Sequence, residues 1–277
     1  MDQGKLRIRV IAKENGNPIS GARIALSYTG VPGTPLEELK TDSSGNAEEV
    51  TLNTPPLEYS QTPSEEQPYS EFTIEVSALG FRPVNISGID VLANETSTQE
   101  VYLEPQSTPG NDIQNIVIGA NTLYGNFPPK IPEEEIKTVN DNGAIVLNRV
   151  VIPEFIVVHD GPPNDDTATN YYVRYRDYIK NVASSEIYAT WPDATIRANV
   201  LAIMSFTLNR VYTEWYRGKG KNFTITSSTA YDHMFIPGRN FFQSISRVVD
   251  EMFENYLSRP NVTQPILTQY CDGQKVT

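Results

Sequence analysis

Cys271, His159 and His233 are the only cysteine and histidines in this 277-residue chain. One cysteine excludes an internal disulfide framework. Three such residues far apart in sequence do not make a zinc site, so no metal is expected. No motif calls for a cofactor either. No apolar run approaches the length of a membrane-spanning helix, so membrane insertion is not expected. Basic residues are also scarce: 22 Lys and Arg face 34 Asp and Glu, a net charge of −12. Phosphate binding needs concentrated Lys and Arg, which excludes nucleic acid as an expected partner. The start, "MDQGKLRIRVIAKEN", lacks the charged-then-apolar layout of a signal peptide, and export by the usual route is not expected.

The chain is 39% hydrophobic and 20% charged, the balance of a soluble globular protein with a sizeable core. Its length suits two domains. Charge divides it unevenly: residues 1–105 hold 16 acids and 7 bases, and residues 106–277 hold 18 and 15. We therefore expect a first domain over 1–105, a connector over 106–150 and a second domain over 151–277.

In the first domain "KLRIRVIA" alternates apolar and polar residues, the period of a strand with one buried face. "GNPISGARIALSY", "TDSSGNAEEVTL", "SEFTIEVSALGFRPVNISGIDV" and "STQEVYLEP" add further strands punctuated by Gly, Pro, Asn and Asp. This pattern predicts an antiparallel β-sandwich. "GNPISGARIAL", "TDSSGNAEEVTL" and "TIEVSALGFRPV" resemble the carboxypeptidase regulatory-like sandwich, a fold that says little about function.

The connector is rich in proline, charge and turn residues. "TVNDNG" (138–143) is its best exposed turn, and the apolar "IVIGANTLY" is expected to pack on a neighbour. In the second domain "VVIPEFIVVHDG" reads as a strand, and Tyr175, Tyr178, Ile179 and Val182 are spaced as on a helix. A longer helix follows, with Thr190 as N-cap, Pro192 and Asp193 in its first turn, and Gly218 and Gly220 at its end. Ile196, Val200, Ile203, Thr207, Val211 and Trp215 form its apolar face. A stripe of Ala198, Ala202, Ser205 and Asn209 fits close packing of another backbone. His159 reads as a structural residue.

"DYIKNVASSEIYATWPDATIRANVLAIMSFTL" and "TSSTAYDHMFIPGRN" resemble the core of the SpoIID/LytB family of peptidoglycan lytic transglycosylases. The order of sandwich, "YGNFPPKIPE", "VVIPEFIVVHDG" and core is similar to clostridial spore cortex-lytic enzymes of the SleC type. The resemblance implies an α+β SpoIID-like second domain with Glu186 as the catalytic acid and base. It puts Asn199, Ser205, Asp232 and His233 at substrate-binding positions. Ser185 neighbours Glu186, and Tyr188 and Trp191 could stack on sugar faces, which completes the expected substrate-binding set. Met204 stands where the family has Arg, and the family's terminal Met-Ser-Gln-Tyr-Gly is absent, so the second domain is expected to be cut short. The implied partners are spore cortex peptidoglycan and an activating protease that cuts within 138–150, with the protein located in the spore. A non-catalytic spore-coat or wall-binding protein and a phage-type wall hydrolase are the alternatives.

One carboxyl suffices for this chemistry. It protonates the leaving oxygen, then as a base helps the MurNAc 6-hydroxyl close on the anomeric carbon, whereas ordinary glycosidases need two carboxyls. Burial among Ile187, Tyr188 and Trp191 is expected to raise the Glu186 pKa.

Overall fold

The structure, a computed structural model, describes residues 1–31, 33–63, 66–106, 112–121, 123, 127–134, 147 and 149–269. Among these the chain is β-rich, with three sheets and three α-helices. It forms two compact units. The first comprises residues 1–124, 188–191 and 236–244, and the second comprises 125–187, 192–235 and 245–277.

Among the described residues nine strands build the first unit. They are β1 (Asp2–Ala12), β2 (Arg23–Tyr28), β3 (Glu37–Lys40), β4 (Val50–Thr54), β5 (Tyr69–Ser77), β6 (Val84–Leu92), β7 (Thr96–Leu103), β8 (Gln114–Val117) and, from far along the chain, the two-residue strand Phe241–Phe242. One sheet has the order (241–242)-β7-β1-β4 and the other β3-β2-β5-β6-β8. Alternation in β1 buries Leu6, Ile8 and Val10 while Lys5, Arg7 and Arg9 face water. These residues share a core with Ile24 and Leu26 of β2, Phe72, Ile74 and Val76 of β5, and Val101 and Leu103 of β7. At about 25 cal/mol per Å² of apolar surface, such burial is the main force holding the two sheets together.

The sandwich is not wholly antiparallel, as the sequence suggested. β7 lies parallel to β1, and β8 lies parallel to β6. The chain leaves β6 in one sheet, crosses in three residues, and enters the other sheet as β7 running in the same direction as β1. The unit also extends past the expected boundary at residue 105. β8 extends a sheet there, and Ile118 enters the core. Gly88 in β6 has φ +82°, and a Cβ there would run into the Ile118 carbonyl oxygen. Gly88→Ala is expected to destabilise by about 1–3 kcal/mol, seen as a lower urea midpoint at unchanged m value. An unchanged midpoint would mean that this stretch tolerates the methyl group.

Two later segments complete the first unit. Phe241 and Phe242 pair with Thr98 and Ser97 at the edge of β7. Arg239 makes a buried ion pair with Asp90 and also donates to the Gly119 carbonyl at 2.6 Å. Burial raises the Asp90 pKa and Arg239 opposes the rise. The Asn240 side chain accepts from the Asp90 N–H and donates to the Asp90 carbonyl. In the other segment Trp191 Nε1 donates to the Ser60 carbonyl at 2.8 Å. The Thr190 hydroxyl donates to Ser60 Oγ, so Thr190 is not the helix cap that the sequence suggested. A cap must turn its oxygen to the helix N–H groups, and this one is committed elsewhere.

The second unit contains a three-stranded sheet of β9 (Phe155–His159), β10 (Asn170–Arg174) and a short strand, Ile225–Thr226, in the order β10-β9-(225–226). The sequence showed β9 but not β10. Its alternation is short and merges with the helical spacing that follows. Helix α1 (Tyr175–Glu186) begins directly after β10 and buries Tyr175, Tyr178, Ile179 and Val182, the residues spaced for it. Helix α2 (Asp193–Tyr212) starts after Pro192 and stops eight residues before Gly220. Glu214 adopts φ +47° just beyond its end, and Gly220 instead closes a short 3-10 turn, Arg217–Lys219. Every residue from Ile203 to Arg210 is buried, so this part of α2 has no solvent face. The small-residue stripe is covered by later chain. Leu257 N–H donates to Ser205 Oγ, Thr268 Oγ1 to the Ala202 carbonyl, and Asn209 Nδ2 to the Pro265 carbonyl. Helix α3 (Gln243–Met252) buries Ile245, Val248 and Val249.

Candidate functional site

Glu186 is the last residue of α1, where Ile187 turns extended and ends the helix. Its Oε1 accepts the Met234 N–H at 2.7 Å. Its Oε2 is buried without a hydrogen-bond partner, although the residue keeps a little exposed surface. Burial pushes the Glu186 pKa up to about 7, against the opposing pull of the Met234 N–H and the Lys130 charge. An ionised carboxylate dislikes a dry site, and one N–H bond does not offset that.

Asp232 and His233 immediately precede Met234. The Asp232 carboxylate takes four donors: Arg210 Nε at 2.6 Å, Tyr216 OH at 2.7 Å, and the Thr226 N–H and hydroxyl at 2.9 and 2.7 Å. Arg210 is fully buried and also grips both oxygens of Glu133 at 2.7 Å. Asp232 is thus occupied within the protein and buttresses the Asp232–Met234 stretch. His233 shares a 3.1 Å hydrogen bond with the Tyr178 hydroxyl, and its ring lies 4.5 Å from that of Phe206. Burial and the nearby Lys130 and Arg210 charges push its pKa down, so the imidazole is neutral at pH 7. Lys130 donates to the Asp232 carbonyl, and its own pKa is lowered, chiefly by burial.

Burial rather than charge raises the Glu186 pKa, because the Lys130 charge and the Met234 N–H both favour the ionised form and do not offset the loss of water.

The sequence-derived residues divide by place. Glu186, Asp232 and His233 come together here. Ser185 is buried with its hydroxyl on the Asn181 carbonyl. Asn199 donates to the Thr195 carbonyl one turn back, and Ser205 serves Leu201 and Leu257. Tyr188 and Trp191 belong to the first unit. His159 is structural: Nδ1 meets Asn170 Oδ1 at 2.8 Å, and the ring stacks on Phe223. Lys130, Glu133, Tyr178, Arg210 and Tyr216 were not anticipated. One signal was available for Arg210, a lone cation inside the apolar run "SFTLNRVY".

Two concavities lie elsewhere. One, of about 180 Å³, is lined by residues including Phe155, Arg210, Glu214 and Phe223, and the other, of about 780 Å³, by residues including Arg23, Lys40, Glu75 and Asn115. Glu186 lines neither. Among the described residues no cluster of His, Cys, Asp and Glu could hold a metal ion, and no helix is long and apolar enough to cross a membrane.

The raised carboxyl makes stability depend on pH. With a folded pKa of about 7 against an ordinary 4.5, the contribution of Glu186 is complete below pH 4.5 and is lost as pH rises through about 7. Glu186→Gln cannot ionise, so it should gain on the wild type across that window, by up to about 3 kcal/mol at the alkaline end. Thermal melts of both proteins from acid to alkaline pH check this. A melting difference that stays constant with pH would mean that Glu186 titrates normally.

No family model matches the chain, and no curated protein matches it. Solved structures share partial likenesses. The Bacillus anthracis TIE protein is 17% identical over 38% of this chain and 17% of its own, with a TM-score of 0.26. The minor pilin GBS52 of Streptococcus agalactiae is 15% identical over 39% and 47%, with a TM-score of 0.28. The 5-hydroxyisourate hydrolase of Klebsiella pneumoniae is 16% identical over 38% and 92%, with a TM-score of 0.25. The chain thus spans a minor part of the first two proteins. Likenesses this weak bear on neither activity nor partners, and the chain's β-rich, two-unit architecture stands on its own geometry.

Proposed function

We propose that the second unit is a peptidoglycan lytic transglycosylase with a SpoIID-like core, acting on spore cortex in germination. The observation that carries this reading is Glu186: one oxygen is fixed by the Met234 N–H, and the other is buried, unpartnered and on a carboxyl with pKa about 7. Such a group is available both as acid and as base near neutral pH.

In the proposed reaction Glu186 gives its proton to the GlcNAc O4 as the bond from MurNAc C1 to that oxygen breaks. The carboxylate then takes the proton of the MurNAc 6-hydroxyl as O6 closes on C1. The acid is restored, no water is consumed, and the product is 1,6-anhydroMurNAc. Neutral His233 and the filled Asp232 keep the Asp232–Met234 stretch in place and take no part in proton transfer.

The buried Oε2 supports reading the chain as a precursor whose acid is formed but enclosed. Activation would be cleavage within 138–150, most of which lies outside the described residues. Limited proteolysis with N-terminal sequencing tests the cut, and cuts confined to the first unit would overturn it. The activity is tested by incubating cut protein with cortex fragments and reading the products by mass spectrometry. Anhydromuropeptides are expected, and reducing-end products would make the protein a hydrolase. The second reading, a wall-binding or spore-coat protein without turnover, is favoured by the buried Oε2 of Glu186, which lines neither of the two concavities described above. It requires that cut protein bind cortex and release nothing.

A further inference from the structure

The larger concavity, of about 780 Å³, lies wholly on the first unit, over the outer face of the sheet β3-β2-β5-β6-β8. The inner face of this sheet gives Ile24, Leu26, Ile74 and Val76 to the core. Alternation along the strands therefore turns Arg23 and Ala25, Glu38 and Lys40, and Glu75 and Ser77 outward. Register sets these residues in rows. Lys40 stands directly opposite Arg23, and Arg23 opposite Ser77. In the next row Glu38, Ala25, Glu75, Asn85 and Asn115 follow one another across the five strands. Ala25, with only a methyl group, leaves a hollow between the two glutamates.

This arrangement works against the stability of the sheet. Like charges directly opposite on paired strands repel, and Arg23 and Lys40 are such a pair. The carboxylates that could relieve them sit one row away, about 7 Å along the strands. Yet among the described residues none of the four charged side chains is held in an ion pair, and all four are exposed. Two cations in one row and two carboxylates in the next are the complement of a ligand that carries both signs. At the end of the second row Asn85 Nδ2 donates to Asn115 Oδ1 at 3.1 Å, an amide pair of the kind that can read a peptide backbone.

We propose that this outer face binds a short peptide bearing a free carboxylate and a free ammonium, the carboxylate on Arg23 and Lys40 and the ammonium between Glu38 and Glu75. A simple anion would meet the glutamates and a simple cation would meet Arg23 and Lys40, so the face selects against both. Naming the peptide rests on the reading of the second unit as acting on peptidoglycan, whose uncrosslinked stem peptides bear both groups. Bound there, a stem tethers the chain to the wall through the first unit.

Isothermal titration of the full chain with a soluble muropeptide that has a free stem amine and carboxylate tests the site. Binding is expected, and it should weaken as salt rises, because exposed charges are screened. Lys40→Ala should weaken it by about tenfold, the usual loss of one hydrogen bond to a charged group. The same variant should melt at an equal or higher temperature, because it relieves the repulsion from Arg23. Acetylating the stem amine should weaken binding to the wild type by about as much. It should lose nothing further in the double variant Glu38→Gln, Glu75→Gln. No binding at millimolar muropeptide, or affinity unchanged in Lys40→Ala, would overturn the site. Binding of free alanyl-alanine without binding of muropeptide would overturn the stem as its occupant. Titration reads binding alone, so a chain that binds muropeptide but releases no anhydro product counts against the transglycosylase and leaves the site standing. Anhydro product from a chain that binds no muropeptide on this face counts against the site alone.

Discussion

Replacing Glu186 by Gln is expected to lower the release of anhydromuropeptides by about 10²–10⁴-fold, the usual loss when acid–base catalysis is removed. Gln keeps the shape and can still accept the Met234 N–H through its carbonyl oxygen. It cannot deliver a proton to the leaving oxygen or take one from the 6-hydroxyl. The assay uses the cut protein on cortex fragments, with circular dichroism to confirm that the fold is retained. Wild-type levels of anhydro product from Glu186→Gln would remove Glu186 from the mechanism. The effect should be on turnover, because the residue's part is proton transfer rather than binding.

Arg210→Met should have the largest effect on stability. The guanidinium is fully buried and holds Glu133 with two bonds and Asp232 with a third. Taking it away leaves two carboxylates in a dry cluster, a loss of about 3–5 kcal/mol for a broken buried pair. Domains are stable by only about 5–15 kcal/mol, so the variant should unfold at a much lower urea concentration. Arg210→Lys should not restore the midpoint, because a single ammonium cannot make the paired bonds to Glu133 and reach Asp232 as well. A shift of less than about 1 kcal/mol would show that the cluster relaxes around the loss.

What the sequence disclosed followed the range of the interactions concerned. Alternation in β1 and helical spacing in α1 are local patterns, and both are written in ten or so residues. Thr190 looked like a cap because its neighbours suit a helix start, yet its hydroxyl is drawn to Ser60, 130 residues away. No local rule reports such a partner. The Glu133–Arg210 bridge spans 77 positions and joins a connector to a helix, so neither residue stood out as half of a pair. Glu186 was singled out by family likeness, and its chemistry came from burial, which the small residues before it only hinted at. The strand Phe241–Phe242 is too short to show any period.

The reach of the chain back into the first unit constrains how the protein is made. β7 is left with an open edge until Phe241 and Phe242 arrive, and Asp90 stays buried without its cation until Arg239, 149 positions later, is in place. On the ribosome, where synthesis runs from the N-terminus at about 5–20 residues per second, the amino-terminal sheets must therefore wait until Arg239, Phe241 and Phe242 have been made. During that interval an unpaired strand edge is exposed to other nascent copies, the setting in which strand-to-strand aggregation begins. The acidic surface of residues 1–105, with 16 acids against 7 bases, then acts as a safeguard, because like-charged half-made chains repel one another before the last strand closes the sheet.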